Sequence, residues 1–201
     1  MDLFPLNATG SRSIRVLPAR LDREQAVAVF TGGVVGQARQ LMHGPLRSVA
    51  RVSIPFRSVE VIIGSRRQRE RMVLGVDAIA GILDLYRFDE EPSAPVVQIR
   101  TRNDLEPVLS PAAARDIAAA RVRRMLYRRV GFFAIRNRQL DVRSIEDVLY
   151  VPYWIGFFGR GDRASIVAID AVRRQTEGLK VRRLIEMWLA RPARVERCSG
   201  G

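Results

Sequence analysis

Two stretches of this chain read alike, and that likeness constrains the fold more than any other feature. The first is Val52-Ser53-Ile54-Pro55-Phe56, a charged loop, then Val73-Leu74-Gly75-Val76-Asp77-Ala78-Ile79. The second is Leu149-Tyr150-Val151-Pro152-Tyr153, a charged loop, then Ile166-Val167-Ala168-Ile169-Asp170-Ala171-Val172. Upstream, Val16-Leu17-Pro18-Ala19 precedes one helical pattern and Val108-Leu109-Ser110-Pro111-Ala112 precedes another. Several elements recurring in one order are the mark of a repeat. The expected fold is α+β: a tandem duplication of a strand–helix–β-hairpin unit, with antiparallel sheets side by side or merged and the helices packed on one face. The expected boundaries are a flexible N-terminus at 1–12, a first repeat at 13–88, a linker at 89–107, a second repeat with a closing helix at 108–190, and a disordered tail at 191–201.

Local signals place the elements. Asp22 and Gln25 form a capping-box pattern that opens the first helix. Gly32, Gly33 and Gly36 weaken that helix and favour an early end. Ser110 followed by Pro111 starts a long second helix, because proline at the first helical position gives up no needed donor. Residues 59–63 and 72–76, and 149–158 and 165–169, read as two hairpins with charged or glycine-rich tips. Pro55 and Pro152 lie inside strand patterns and should mark an entry, an edge or a bulge. Residues 96–99 can add a strand in the linker. Val181, Leu184, Ile185 and Trp188 share one face of a closing helix.

The net charge is +13, and Lys180 is the only lysine. Such a field attracts nucleic acid, anionic surfaces or acidic partners, while the arginine bias also fits a GC-rich bacterial genome. Cys198 is the only cysteine, so no internal disulfide can form. The N-terminus lacks the basic start and apolar run of a secretory signal. The uncharged stretch at 148–159 is too short to span a bilayer and carries a proline. A cytoplasmic protein with no membrane span follows as the expectation.

Chemistry-bearing residues are sparse. His43, the only histidine, argues against a histidine-based triad and reads as a turn residue beside Gly44-Pro45. The run Thr31-Gly32-Gly33-Val34-Val35-Gly36 follows a helix pattern and lacks Gly-Lys-Ser/Thr, so it is no phosphate loop. No cofactor is expected. Asp77 and Asp170 occupy matching places in the two copies and could form a paired-carboxylate site. The aliphatic-aliphatic-Asp pattern resembles aspartic proteases, but Ala78 and Ala171 stand where that family has Thr or Ser, and Ile79 and Val172 where it has Gly. The strand ending Ile169-Asp170-Ala171-Val172 also resembles the end strand of PepSY-type modules, small bacterial α+β units. Those continue to Thr-Gly, whereas Ala80-Gly81 and Arg173-Arg174 follow here. Neither resemblance carries over a function.

Two surface readings remain. Tyr150, Tyr153, Trp154, Phe157 and Phe158 form a strand that is apolar on both faces. It is either a central buried strand or a platform for a partner. Arg121, Arg124 and Arg128 form a helical stripe, with Arg66, Arg67 and Arg69 at one hairpin tip and Arg160 and Arg163 at the other. Tips facing the same way could clamp a polyanion. The leading functional expectation is a non-enzymatic binding or assembly module that contacts a protein partner or a second copy. A basic nucleic-acid-binding accessory protein is the alternative, and an enzyme using Asp77 and Asp170 is the third reading.

Overall fold

The computed structural model describes residues 12–64, 69–88, 96–101, 104–135, 139–160 and 164–190. Residues 1–11 of the expected flexible N-terminus, the tail with Cys198, and the tip arginines Arg66, Arg67 and Arg163 lie outside these residues.

The chain is mixed α+β, and its described residues form one large, mostly antiparallel sheet and four helices. Two long strands dominate it: β2 (Leu46–Gly64) and β6 (Gln139–Phe158). They pair antiparallel along nearly their whole lengths, with Ile54 opposite Val151 near the middle. On the outer edge of β2 runs β3 (Arg69–Asp77), which pairs in turn with the short β4 (Tyr86–Arg87). On the outer edge of β6 runs β7 (Ser165–Asp170), followed by the short β8 (Gln175–Thr176). A two-stranded ribbon, β1 (Arg12–Val16) with β5 (Val97–Thr101), joins β6 through Val16↔Tyr150.

The prolines sit inside the long strands rather than at their ends. Pro55 pairs with Tyr150 and Pro152 with Ser53. Each stands one residue before an outer ladder begins, at Phe56↔Asp77 and at Tyr153↔Asp170. The missing N–H is therefore not demanded by the second partner strand. Each proline carbonyl then accepts the turn residue after the aspartate: Ala78 N–H to Pro55 O at 2.8 Å, and Ala171 N–H to Pro152 O at 3.0 Å.

Other bonds recur in similar form, four residues out of step with the upstream match read from the sequence: Leu17 acts like Leu105 rather than Leu109. Leu17 N–H donates to Tyr150 O (2.9 Å) and Leu105 N–H to Ser53 O (3.2 Å). Arg20 N–H donates to Ala171 O (2.8 Å) and Val108 N–H to Ala78 O (2.7 Å).

The helices form where the local signals place them. In α1 (Arg23–Thr31), both bonds of the Asp22–Gln25 capping box are made. The helix stops at Gly32, and α2 (Gly33–His43) starts at once in a new direction, with Gly33 at φ +63°. The long helix α3 (Pro111–Ile135) opens with Ala113 N–H on the Ser110 hydroxyl. The closing helix α4 (Leu179–Leu189) buries Val181, Leu184 and Ile185.

The helices do not share one face of the sheet, contrary to the expectation. On β6, Tyr153, Ile155 and Phe157 pack toward α4, while Trp154 and Phe158 pack toward α1. Successive strand residues point to opposite faces, so α4 covers one face and α1 the other. Helix α3 lies on the α1 side, packing Ala114, Ala118, Val122 and Leu126 against Val59, Val61 and Ile63 of β2. The partners are crossed: the first helix covers the second hairpin, and the second long helix covers the first hairpin.

Candidate functional site

The two aspartates end up far apart. Asp77 pairs with Phe56 on β3, and Asp170 with Tyr153 on β7. Strands β2 and β6 lie between them, so the lateral separation is about 14 Å at normal strand spacing. A shared-proton dyad is therefore corrected away: each carboxylate serves its own turn.

Asp77 is a completed cap. It is fully buried. Its Oδ1 accepts Ala80 N–H (2.9 Å) and Gly81 N–H (2.8 Å), and its Oδ2 accepts Leu83 N–H (2.7 Å). Gly81 takes φ +64°, and a Cβ there would meet Ile117 Cδ1 of α3 at 2.5 Å. The Arg121 guanidinium reaches over from α3 to bond the carbonyls of Leu83 and Gly81. This turn binds the sheet to the helix.

Asp170 is built differently. It is equally buried, and its Oδ1 accepts Val172 N–H (2.7 Å) and Arg173 N–H (2.9 Å). The turn then closes through Arg174 at φ +59° straight into β8, and no third N–H reaches the carboxylate. Oδ2 is buried and makes no hydrogen bond of normal geometry. Burial raises the Asp170 pKa, opposed by the two backbone N–H groups, Arg173 and the Tyr86 hydroxyl.

Beside Asp170 lies a cleft of about 350 Å³ lined by Tyr86, Tyr153, Arg173, Glu177 and the start of α4. Burial, and then the Asp170 charge, raise the Glu177 pKa and hold the Tyr153 phenol well above its usual value. The Arg173 guanidinium stacks 3.7 Å over the Tyr86 ring and donates to Arg87 O at 2.8 Å. Lys180 pairs with Asp84 at the rim. Local sequence gave no hint of this cluster, because its residues come from segments far apart in the chain.

The aromatic strand is core. Tyr150, Tyr153, Trp154, Phe157 and Phe158 are all at most 9% exposed. The platform reading is thereby corrected: β6 is covered on both faces, and the Trp154 indole N–H is used on Leu21 O at 2.8 Å.

The described arginines are not brought together as a clamp. Arg69 pairs with Gly64 at one end of the 19-residue β2, and Arg160 lies just past Phe158, which pairs with Leu46 at the other. That is roughly 60 Å of strand. Arg121 is committed to α3 anchoring, while Arg124, Arg128, Arg69 and Arg160 are exposed. His43 sits with its Nδ1 3.2 Å from the Ser165 hydroxyl, a partly buried contact beside the Gly44 turn.

The most unusual surface is one that the composition hid. Helix α2 is turned inside out. Its exposed face carries Val34 (83%), Val35 (69%), Leu41 (90%) and Met42 (73%), and its inward face carries Gly36 and Arg39. Arg39 is 8% exposed. Its Nη1 reaches Val29 O and Phe30 O at 3.4 Å each, at the end of α1, where no basic residue stands in the last turn. A cation at those open carbonyls is favourable, so the polar side of α2 is drawn inward and its apolar side left outward. A local signal existed: no residue from Gln25 to Ala38 is charged, in a chain with 27% charged residues.

Among the described residues, no helix is long and apolar enough to cross a membrane. Comparison with protein-family models, with curated proteins and with solved structures finds no significant match for this chain.

Proposed function

We propose that this protein is a non-enzymatic binding or assembly module, built on a tandem repeat, that makes protein–protein contact through the outward face of α2. The repeat is supported by the recurring bonds at Ala78 and Ala171, at Leu17 and Leu105, and at Arg20 and Val108. It is supported also by the register of β2 and β6, in which Ile54↔Val151 lies midway between the two proline pairs.

The observation that carries the contact reading is the exposed apolar stripe on α2. Contiguous apolar surface of this kind marks an interaction site. The stripe is not a frayed end: α1 packs behind it, and Arg39 and Gln40 anchor it to the α1 carbonyls.

Site-specific photo-crosslinking in cells that make the protein tests the reading. A benzophenone amino acid at Leu41 should trap a protein adduct, whereas one at exposed Arg143 on β6 should not. Absence of any adduct at Leu41 removes this function.

A further inference from the structure

Resting on that reading, we infer that the occupant of the α2 face is a second copy of this chain, docked as a twofold-symmetric pair. Three observations point to it. The first is shape. At 3.6 residues per turn, Val34, Ala38 and Leu41 lie in one line, and Val35 and Met42 widen it to a face about 120° across. Ala38 is exposed at its centre. A small residue midway along the stripe lets two copies of α2 approach closely, with the larger side chains above and below it packing across the axis. A twofold contact needs such a self-complementary patch.

The second is area. Val34, Val35, Leu41 and Met42 are each at least 69% exposed. At roughly 100 Å² of apolar surface per aliphatic side chain, these four present about 400 Å². Two copies then bury about 800 Å² from the stripe alone, the size of a weak, reversible pair.

The third is charge. Each copy carries +13. An acidic partner or an anionic lipid surface would be gripped by arginines at the contact, and a helix lying on lipid carries its basic residues on its free polar face. Here the stripe is uncharged, and Arg39 is turned away into the protein. An uncharged stripe lets two strongly positive molecules meet with the neighbouring Arg160, beside the Gly44 turn, at its edge rather than within it.

The salt dependence follows, and its sign separates the occupants. Screening weakens repulsion between like-charged copies, so self-association should tighten as salt rises. Binding to a polyanion or an anionic vesicle should weaken.

Sedimentation equilibrium of the full chain over a wide concentration range tests this. The mass should move from 22.7 kDa toward twice that value, at lower concentration in about 0.5 M than in about 0.1 M salt. Leu41→Asp with Met42→Asp should raise the dissociation constant more than about 100-fold. Both side chains are exposed, so an unchanged circular dichroism spectrum and unfolding midpoint should accompany the loss. A 22.7 kDa species at every concentration and salt overturns the inference. If the Leu41 crosslink then still yields an adduct with a different protein, only the second-copy assignment falls. If Leu41 yields no adduct either, the contact reading falls with it. Salt-weakened sedimentation with phosphatidylserine vesicles, or a crosslink confined within one chain, would likewise overturn the second-copy assignment.

Discussion

Asp77 and Asp170 each end a strand, and each is followed by an alanine whose N–H returns to a proline carbonyl. One is finished and the other is not. At Asp77 the chain after the strand opens into a loop, three N–H groups converge on two oxygens, and Arg121 ties the loop to α3. At Asp170 the chain folds back at once into β8, so two N–H groups share one oxygen and the other is left without a normal bond. A buried carboxylate costs desolvation that only hydrogen bonds or charges offset. The difference shows how one local motif becomes a structural anchor in one half and a polar cluster beside a cleft in the other, according to how the next few residues leave the strand.

Substitutions at the two turns should differ in cost. Asp77→Asn should have the largest effect, about 3 kcal/mol lost in denaturant unfolding, because the new amide would face Leu83 N–H with a donor. Arg121→Ala should follow, at about 2 kcal/mol, since it leaves two carbonyls of the same turn without their charged donor. It should leave the Asp170 side untouched. Trp154→Phe should cost about 1 kcal/mol through the lost bond to Leu21 O. Asp170→Asn should be smallest, within about 1 kcal/mol at neutral pH, because the amide oxygen can still accept the Val172 and Arg173 N–H groups while the cost of a buried charge is removed. If Asp77→Asn and Asp170→Asn cost the same, the contrast drawn between the two turns is wrong.

A pH profile sharpens the last comparison. Burial raises the folded pKa of Asp170, and of Glu177 beside it. Between its unfolded and folded pKa, such a carboxyl binds more protons folded than unfolded. Its contribution to stability is complete below the unfolded value and is lost as pH rises through the folded one. Relative to Asp170→Asn, the wild-type protein should therefore gain stability as pH falls from neutrality toward the ordinary carboxylate range. Parallel profiles of unfolding free energy for the two proteins would count against the buried, poorly bonded carboxylate.

Much of the local structure was legible. The capping box at Asp22 and Gln25, the start of α3 at Ser110-Pro111, and the break of the first helix at Gly32 are decided by a few neighbouring residues. The hairpin strands and the strand at 97–101 follow from alternation and turn residues. The placement of the prolines was missed, because their tolerance depends on where an outer partner strand begins. The aromatic strand read equally as core or platform until both of its faces were seen to be covered. The stripe on α2 left a trace, the charge gap from Gln25 to Ala38, but its meaning depended on which way the helix faced.

Sequence alone determined what acts within a few residues: helix starts and stops, strand alternation, the strand–Asp–Ala turns, and an excess of arginine over acid. Tertiary structure decided everything that required distant segments to meet. It set α1 on the second hairpin and α3 on the first, put two strands between the aspartates, separated Arg69 from Arg160, and spent Arg121 and Arg39 on backbone carbonyls. The physical reason is that capping and alternation are satisfied by neighbours along the chain, whereas burial and the pairing of a charge depend on which surfaces are brought together, and only the packed fold specifies those.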